Sequence, residues 1–324
     1  MKTKLNNFIG IDVSKKKLDV FDGRKSYQIQ NNLTGFNRLI QKTKPEDHFV
    51  MEATGSYHVK LAYYLHNKGI KVSVVNPLSV KRFSQMKFLR AKTDKVDAIL
   101  LRDYALINKP EIWKVPQGYV FTIKQIQTAI DLLIKGKTSF QRQLEAFDQL
   151  PICDEEVIKL IKKQISQMDM KIRQLEDKAE QLVMKNAGEQ YRVLKSIPGI
   201  GNKAAIMFIA ITNEFKNFSN SKQLSSYIGI CPRIYQSGTS VNGKGHICKM
   251  GGARMRSLLF MCSLTAKSCN QACKQLYDRL IQKGKSKKLA LVAVMNKLVK
   301  QAFAIATKLV KYDKSKYNCE LNAE

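Results

Sequence analysis

The succession of hydrophobic patterns over residues 5–76 constrains this chain more than any other feature. Phe8-Ile9-Gly10-Ile11-Asp12-Val13 reads as a strand, Lys17 to Phe21 continues into a second, and Ser26 to Gln30 alternates like a third. Phe49-Val50-Met51-Glu52-Ala53 is an apolar strand that ends on an acid. Tyr57 to Asn67 carries Leu61, Tyr64 and Leu65 on one helical face, and Ile70 to Val75 is a further buried strand. A three-strand meander followed by strand, helix and strand predicts a mixed-sheet α/β unit. A later helix through Ala98 to Ile107 begins near Thr93, which suits an N-cap.

Beyond residue 119 the period changes. Ile123, Ile126, Ile130, Leu133, Lys137, Phe140, Leu144 and Phe147 alternate steps of three and four, a heptad seam with one charged interruption. Leu150-Pro151 breaks the pattern. Ile165, Met168, Ile172, Leu175, Ala179 and Leu182 then resume it. An antiparallel coiled-coil hairpin is expected, each arm roughly 45 Å long, acting either as an oligomerisation element or as a plain spacer. From Tyr191 onward helices predominate, interrupted by a polar loop from Pro232 to Gly252. A closing helix from about Lys287 to Lys311 puts Val292, Met295, Val299, Ala302, Ala306 and Leu309 on its core side. The expected division is therefore 1–113, 114–190 and 191–324.

The charge balance narrows the class of partner. Lys and Arg number 56 against 26 Asp and Glu, a formal charge of +30, spread along the whole chain of 324 residues. Hydrophobic residues make up 44%, so the chain holds real cores. An extended basic surface points to nucleic acid. A membrane surface lacks the basic amphipathic helix with exposed Trp it would need, the one tryptophan being Trp113. Nor does any apolar run approach the roughly 18 residues of a membrane span. The seven cysteines form no CxxC pair, although Cys269 and Cys273 are spaced one helical turn apart. Free, mostly buried thiols are expected. With Met1-Lys2-Thr3-Lys4 leading straight toward the first strand, a cytoplasmic protein is the expectation.

Against such a background the acids at element ends stand out. Asp12 lies near the end of the first strand and Glu52 near the end of a later one, while Asp94 and Asp97 are spaced three apart at a helix start. For any one of them an ordinary salt bridge to Lys15, Lys92 or Lys95 is the simpler account. Taken as a set, carboxylates converging this closely need cations, and two Mg2+ about 3.5–4 Å apart would suit them. The strand order is that of the ribonuclease-H-like fold, which makes the Asp12 and Glu52 strands neighbours.

Further along, Leu194-Lys195-Ser196-Ile197-Pro198-Gly199-Ile200-Gly201-Asn202-Lys203 resembles a helix-hairpin-helix turn. Gly199 and Gly201 would let backbone N–H groups approach a phosphate beside Lys203, without base readout; a tight turn between core helices is the alternative. Gly238 to Lys244 fits the start of a Walker A loop, but Gly245 follows where a hydroxyl is required and no buried strand precedes it. Nucleotide binding is therefore excluded on residue chemistry. Arg254 and Arg256 are candidate phosphate clamps or simply a solvated helix face.

Gly10-Ile11-Asp12-Val13-Ser14-Lys15, Met51-Glu52-Ala53-Thr54-Gly55 and Ala91-Lys92-Thr93-Asp94-Lys95-Val96-Asp97-Ala98 together resemble the DEDD transposases of insertion-sequence family one-ten, a family that includes pilin-gene invertases. Ile197-Pro198-Gly199-Ile200-Gly201, Tyr227-Ile228-Gly229-Ile230-Cys231-Pro232, Ser237-Gly238 and Ile247-Cys248-Lys249-Met250-Gly251 are similar to the family's transposase domain. The likeness covers almost the whole chain, in order. It implies a RuvC-like domain in which Asp12, Glu52, Asp94 and Asp97 hold Mg2+. It implies a catalytic serine in the second domain, best matched by Ser237 with Ser240 as the fallback, that attacks a DNA phosphate to give a phosphoserine link. It also implies Lys249 among the nucleic-acid contacts, donor and target DNA, a structured noncoding bridge RNA, and a homo-oligomer between dimer and tetramer. Cys231 and Cys248 depart from the small hydroxyl residues expected there. The rival expectations are a RuvC-like junction nuclease using metal-activated water, and a non-catalytic nucleic-acid-binding protein.

Overall fold

The computed structural model describes residues 7–44, 46–53, 55–88, 93–233, 236–237, 241–242 and 246–313, giving only the backbone course at 236–237 and 241–242. The chain divides into two compact units, the first ending at Val115 and the second starting at Pro116.

The first unit is built on a five-stranded sheet of β1 (Phe8–Val13), β2 (Lys17–Phe21), β3 (Ser26–Gln30), β4 (His48–Glu52) and β5 (Lys71–Val75) in the order β3-β2-β1-β4-β5. β1 and β2 pair antiparallel, as do β2 and β3, whereas β1–β4 and β4–β5 are parallel. The mixed sheet follows from connection length: two short turns fold β1–β3 into a meander, and helices carry the chain over between β3, β4 and β5. Those crossovers are α1 (Leu33–Gln41) and α2 (Tyr57–Asn67). Ile9, Ile11, Leu18, Leu39, Leu61 and Leu65 form the core on their side of the sheet. α3 (Pro77–Met86) and α4 (Asp94–Asn108) share the opposite core with Phe8, Val50, Val75, Phe83 and Leu101.

α4 is the element that matters for the site. A Cβ on Gly10 would lie 2.0 Å from the Ala98 carbonyl oxygen and 2.8 Å from the Arg102 nitrogen, so the helix axis crosses β1 at the one residue without a side chain. Arg102 fixes the crossing by donating from Nε to the Phe8 carbonyl at 3.1 Å.

In the second unit, α5 (Gly118–Phe147) and α6 (Glu155–Lys195) form a long helical hairpin, joined where Leu150-Pro151 was expected to break the chain. Asp154 caps α6 by accepting from Glu156 N and Val157 N. The expected seam is the less exposed side of both helices, with Ile123, Ile126, Ile130, Ile172 and Ala179 buried. Lys137, the charged interruption, pairs with Asp169 across the hairpin at 2.8 Å. α6 kinks at Ala187 (φ −138°, ψ 38°), just past the last heptad position, Leu182. The base of the hairpin merges into a single core with α7 (Asn202–Thr212), α8 (Ser221–Ile228), α9 (Ala253–Cys269), α10 (Gln271–Gln282) and α11 (Lys287–Lys308).

Several expectations fail here for physical reasons. Leu309 is 43% exposed rather than core, because α11 ends at Lys308 and Leu309 is its left-handed C-cap. Cys269 and Cys273 do not share a helical turn: Cys269 ends α9, and Asn270 caps α10 through a bond from Cys273 N. Of the described cysteines Cys262 and Cys273 are buried, and the others are partly or fully exposed. Finally, Lys287–Lys308 is long and apolar enough, by length and composition alone, to cross a membrane. Half of that window is packed in the second unit's core, which accounts for its hydropathy.

Candidate active site

Asp12 is the penultimate residue of β1, and two registers fix its neighbours. Opposite it on β2 stands Asp19, which is buried and accepts hydrogen bonds from Gln28 Nε2 at 3.1 and 3.2 Å. On the other side, the parallel register pairs Ile11 with Met51, so Asp12 and Glu52 come level one residue later. Alternation along a strand then decides the face. Gly10 abuts α4, so Asp12, two residues on, faces the same helix. Val50 belongs to the core under α4, so Glu52 shares that face too.

What α4 presents there is its first turn. Thr93 is the cap, its Oγ1 accepting from Val96 N at 3.3 Å, and Asp94 and Asp97 follow within the first turn. Carboxylates at a helix N-terminus are favoured by the helix dipole. Their presence beside Asp12 is not favourable in itself. Asp12 is half-buried, and its pKa is pushed up to about 6, first by burial and then by the charges of Asp97, Asp94, Asp19 and Glu52. Among the described residues, the charges that move it are all carboxylates. The structure thus brings all the sequence-predicted acids within electrostatic reach of Asp12 and adds one that the sequence reading missed, Asp19. The available signal was an acid in mid-strand, which the β1–β2 hairpin register sets against Asp12.

The second unit holds the other candidates, and several of them are already engaged. Ser237 is the second residue of β7 (Gln236–Ser237), which pairs antiparallel with β8 (Val241–Asn242), Ser237 opposite Val241. These strands lie between β6 (Pro232–Arg233) and β9 (His246–Ile247), themselves an antiparallel pair. Ser240 and most of the Walker-like stretch fall outside the described residues. In the Pro-Gly-Ile-Gly turn, Gly199 (φ +99°) is closed over by α9, for a Cβ there would lie 2.6 Å from Ala266 Cβ. Gly201, the N-cap of α7, has open space beside it.

Lys203 and Arg254 reach one cleft of about 790 Å3, where each meets an acid. Lys203 pairs with Glu176 at 2.7 Å, and Arg254 pairs with Asp131 and the Gln127 carbonyl, both at 2.7 Å. Arg256 donates to the Ile228 carbonyl at 3.0 Å and to the Gly251 carbonyl, tying α9 to the end of α8. Lys249 is exposed, with a left-handed backbone (φ 55°).

Comparison with known proteins supplies the family. Residues 9–150 match the DEDD transposase model built on IS110 elements, and residues 191–278 match the transposase IS116/IS110/IS902 family. The chain is 31% identical over 324 residues to the pilin gene-inverting protein of Moraxella lacunata, covering 95% of this chain and 98% of that one. The chain belongs to the IS110 family of transposases. The Moraxella bovis pilin gene-inverting protein is likewise 31% identical, over 322 residues and the same shares of each chain. The transposase of element IS1111A from Coxiella burnetii is 23% identical over 240 residues, 65% of this chain and 63% of that one.

As an IS110-family transposase, this is a DNA-processing enzyme whose DEDD domain implies a divalent metal. The donor set is chemically suited to one: hard carboxylate oxygens lie within electrostatic reach of a half-buried Asp12 whose charged form they disfavour. Among the described residues, no three acidic, cysteine or histidine side chains stand close enough to share one ion. The acids therefore meet at electrostatic range and would have to draw closer to share one ion.

Proposed function

We propose that this transposase is an RNA-guided recombinase that cleaves and exchanges DNA strands through a covalent phosphoserine link. The observation that carries the reading is the like-charge cluster around Asp12, which disfavours its ionised form in the free protein. Bound Mg2+ would neutralise charge on the phosphate and stabilise the leaving oxygen. Asp12, Glu52, Asp94 and Asp97 are the residues that would hold it, with Gln28 keeping Asp19 in place behind them.

Ser237 is the proposed nucleophile. Its Oγ gives up a proton and forms a bond to phosphorus, while the bond from phosphorus to the 3′ oxygen breaks and that oxygen takes up a proton. The product is a 5′-phosphoserine link, which keeps the phosphodiester energy available for rejoining without ATP. Ser240 is the fallback. Phosphate contacts are assigned to Lys249 and to the Gly199–Lys203 turn as a helix-hairpin-helix, with Lys203 leaving Glu176 to reach DNA. The same reading gives Arg254 and Arg256 phosphate contacts only if they release Asp131 and the Ile228 carbonyl. The α5–α6 hairpin is proposed as a coiled coil that joins copies of the chain into a dimer or tetramer. Donor and target DNA and a structured noncoding RNA, polyanions that suit the +30 charge, complete the reading, with a cytoplasmic location.

The test is to trap the covalent species. Ser237→Ala should abolish the protein–DNA adduct and leave DNA binding intact; an adduct that survives in the variant rejects the assignment. A nuclease that uses the same acids with water as nucleophile would give cleavage with no phosphoserine by mass spectrometry.

A further inference from the structure

The base of the loop that carries Ser237 holds a facing pair of thiols. Cys231 precedes β6 and Cys248 follows β9, and the antiparallel register Pro232–Ile247 sets the two cysteines opposite each other one step further out. Cys248 N donates to the Cys231 carbonyl at 3.0 Å, and the two Sγ atoms lie 3.1 Å apart. Opposed residues in such a ladder have Cα atoms about 4.5–5.5 Å apart, within the roughly 4.4–6.8 Å that a disulfide spans. Both side chains are partly exposed, so a small oxidant reaches them. The surroundings are well anchored: Lys249 N bonds the Gly229 carbonyl at 3.0 Å, and Arg256 holds the Ile228 and Gly251 carbonyls. A cross-link here would act on the loop and not on the scaffold beneath it.

We propose that Cys231 and Cys248 form a reversible disulfide, made by a peroxide, that clamps the base of the Ser237 loop and slows DNA strand cleavage. The effect on cleavage rests on the Ser237 reading above. In the chemistry, one thiolate attacks the peroxide oxygen to give a sulfenic acid and water, and the other thiol then displaces a second water to form the S–S bond. Two thiols and one hydrogen peroxide thus give one disulfide and two waters. The hydrogen bond that the Cys231 thiol makes to Cys248, together with partial burial, holds its pKa above the usual value, so only a minor thiolate fraction is available to attack and the pair reacts with added peroxide rather than spontaneously. A thiol reductant reverses the step by exchange.

The full chain is treated with hydrogen peroxide, alkylated and digested with trypsin. Peptides Gln223–Arg233 and Gly245–Lys249 should appear joined, lighter by two hydrogens than their sum. Cleavage of a supercoiled plasmid carrying the gene's native flanking DNA should fall about tenfold or more and recover with dithiothreitol. Cys231→Ser and Cys248→Ser should each cleave at the reduced parental rate and ignore peroxide. Absence of the joined peptides overturns the proposal, and so does a joined pair with cleavage unchanged. Were the Ser237 assignment at fault instead, Ser237→Ala would cleave normally in reductant, a result read without oxidant.

Discussion

The two units treat charge in opposite ways. In the first, several carboxylates act on Asp12, and among the described residues every charge that moves its pKa moves it upward. In the second, Lys203 and Arg254 enter their cleft already matched by Glu176 and Asp131. A compensated pair near the surface contributes little and carries no message about a ligand. A like-charge cluster held together by a sheet and a helix start costs stability in the free protein and is relieved by a cation. Charge alone does not mark a site in so basic a chain; a like-charge cluster that raises the pKa of one of its members does.

The comparison breaks first if the acids prove dispensable. Asp12→Asn should reduce strand cleavage in a divalent metal by on the order of 10²–10³-fold or more, measured on supercoiled DNA, whereas cleavage at the parental rate would empty the first unit of its chemistry.

Next in size are the glycines at which a helix crosses close to the backbone, one in each unit. Gly10→Ala drives a methyl into the Ala98 carbonyl, and Gly199→Ala meets Ala266 at a backbone angle (φ +99°) that suits glycine. Each should destabilise by roughly 1–3 kcal/mol or more, visible in urea unfolding, with Gly10→Ala also costing cleavage because α4 carries Asp94 and Asp97.

A smaller effect follows from the raised Asp12 pKa. In the folded state Asp12 holds a proton between its ordinary value of 3.8 and about 6, where the unfolded chain has lost it. Its contribution to stability is therefore lost as pH rises through that window. In metal-free buffer, Asp12→Asn should melt a few degrees above the parent at pH 7.5, and the gap should close near pH 4. Mg2+ should raise the parent's melting point more than the variant's. Equal melting at both pH values would contradict the cluster.

The smallest expected effect concerns the compensated pairs. Glu176→Gln releases Lys203 and should tighten binding to duplex DNA two- to threefold, while Lys203→Gln weakens it by less than about fivefold. A hundredfold loss for Lys203→Gln in a salt titration would show that its pairing with Glu176 does not moderate a dominant phosphate contact.

Much of the first unit was legible because period and register carry the information. β1, β2, β3 and α2 fall where the hydrophobic pattern put them. Asp12, Glu52, Asp94 and Asp97 fall at element ends, where any register must bring them forward. α1 was missed because it is short and holds Gly35, whose Cβ would clash with the Gln30 carbonyl at 1.9 Å. α3 was missed although Asn76 and Pro77 mark its start, since its polar face outweighs Val80 and Phe83. Asp19 escaped because a cross-strand partner cannot be seen until the hairpin register is known. In the second unit, composition named the basic residues and could not name their acids, which lie 27 residues away from Lys203 and 123 from Arg254.

The central claim is most directly tested by anomalous diffraction from crystals soaked in Mn2+, a probe for the Mg2+ position. A peak bounded by Asp12 and at least one of Glu52, Asp94 and Asp97 is the predicted result. Saturating Mn2+ with no density beside Asp12, in crystals that diffract well enough to show its carboxylate, would contradict it.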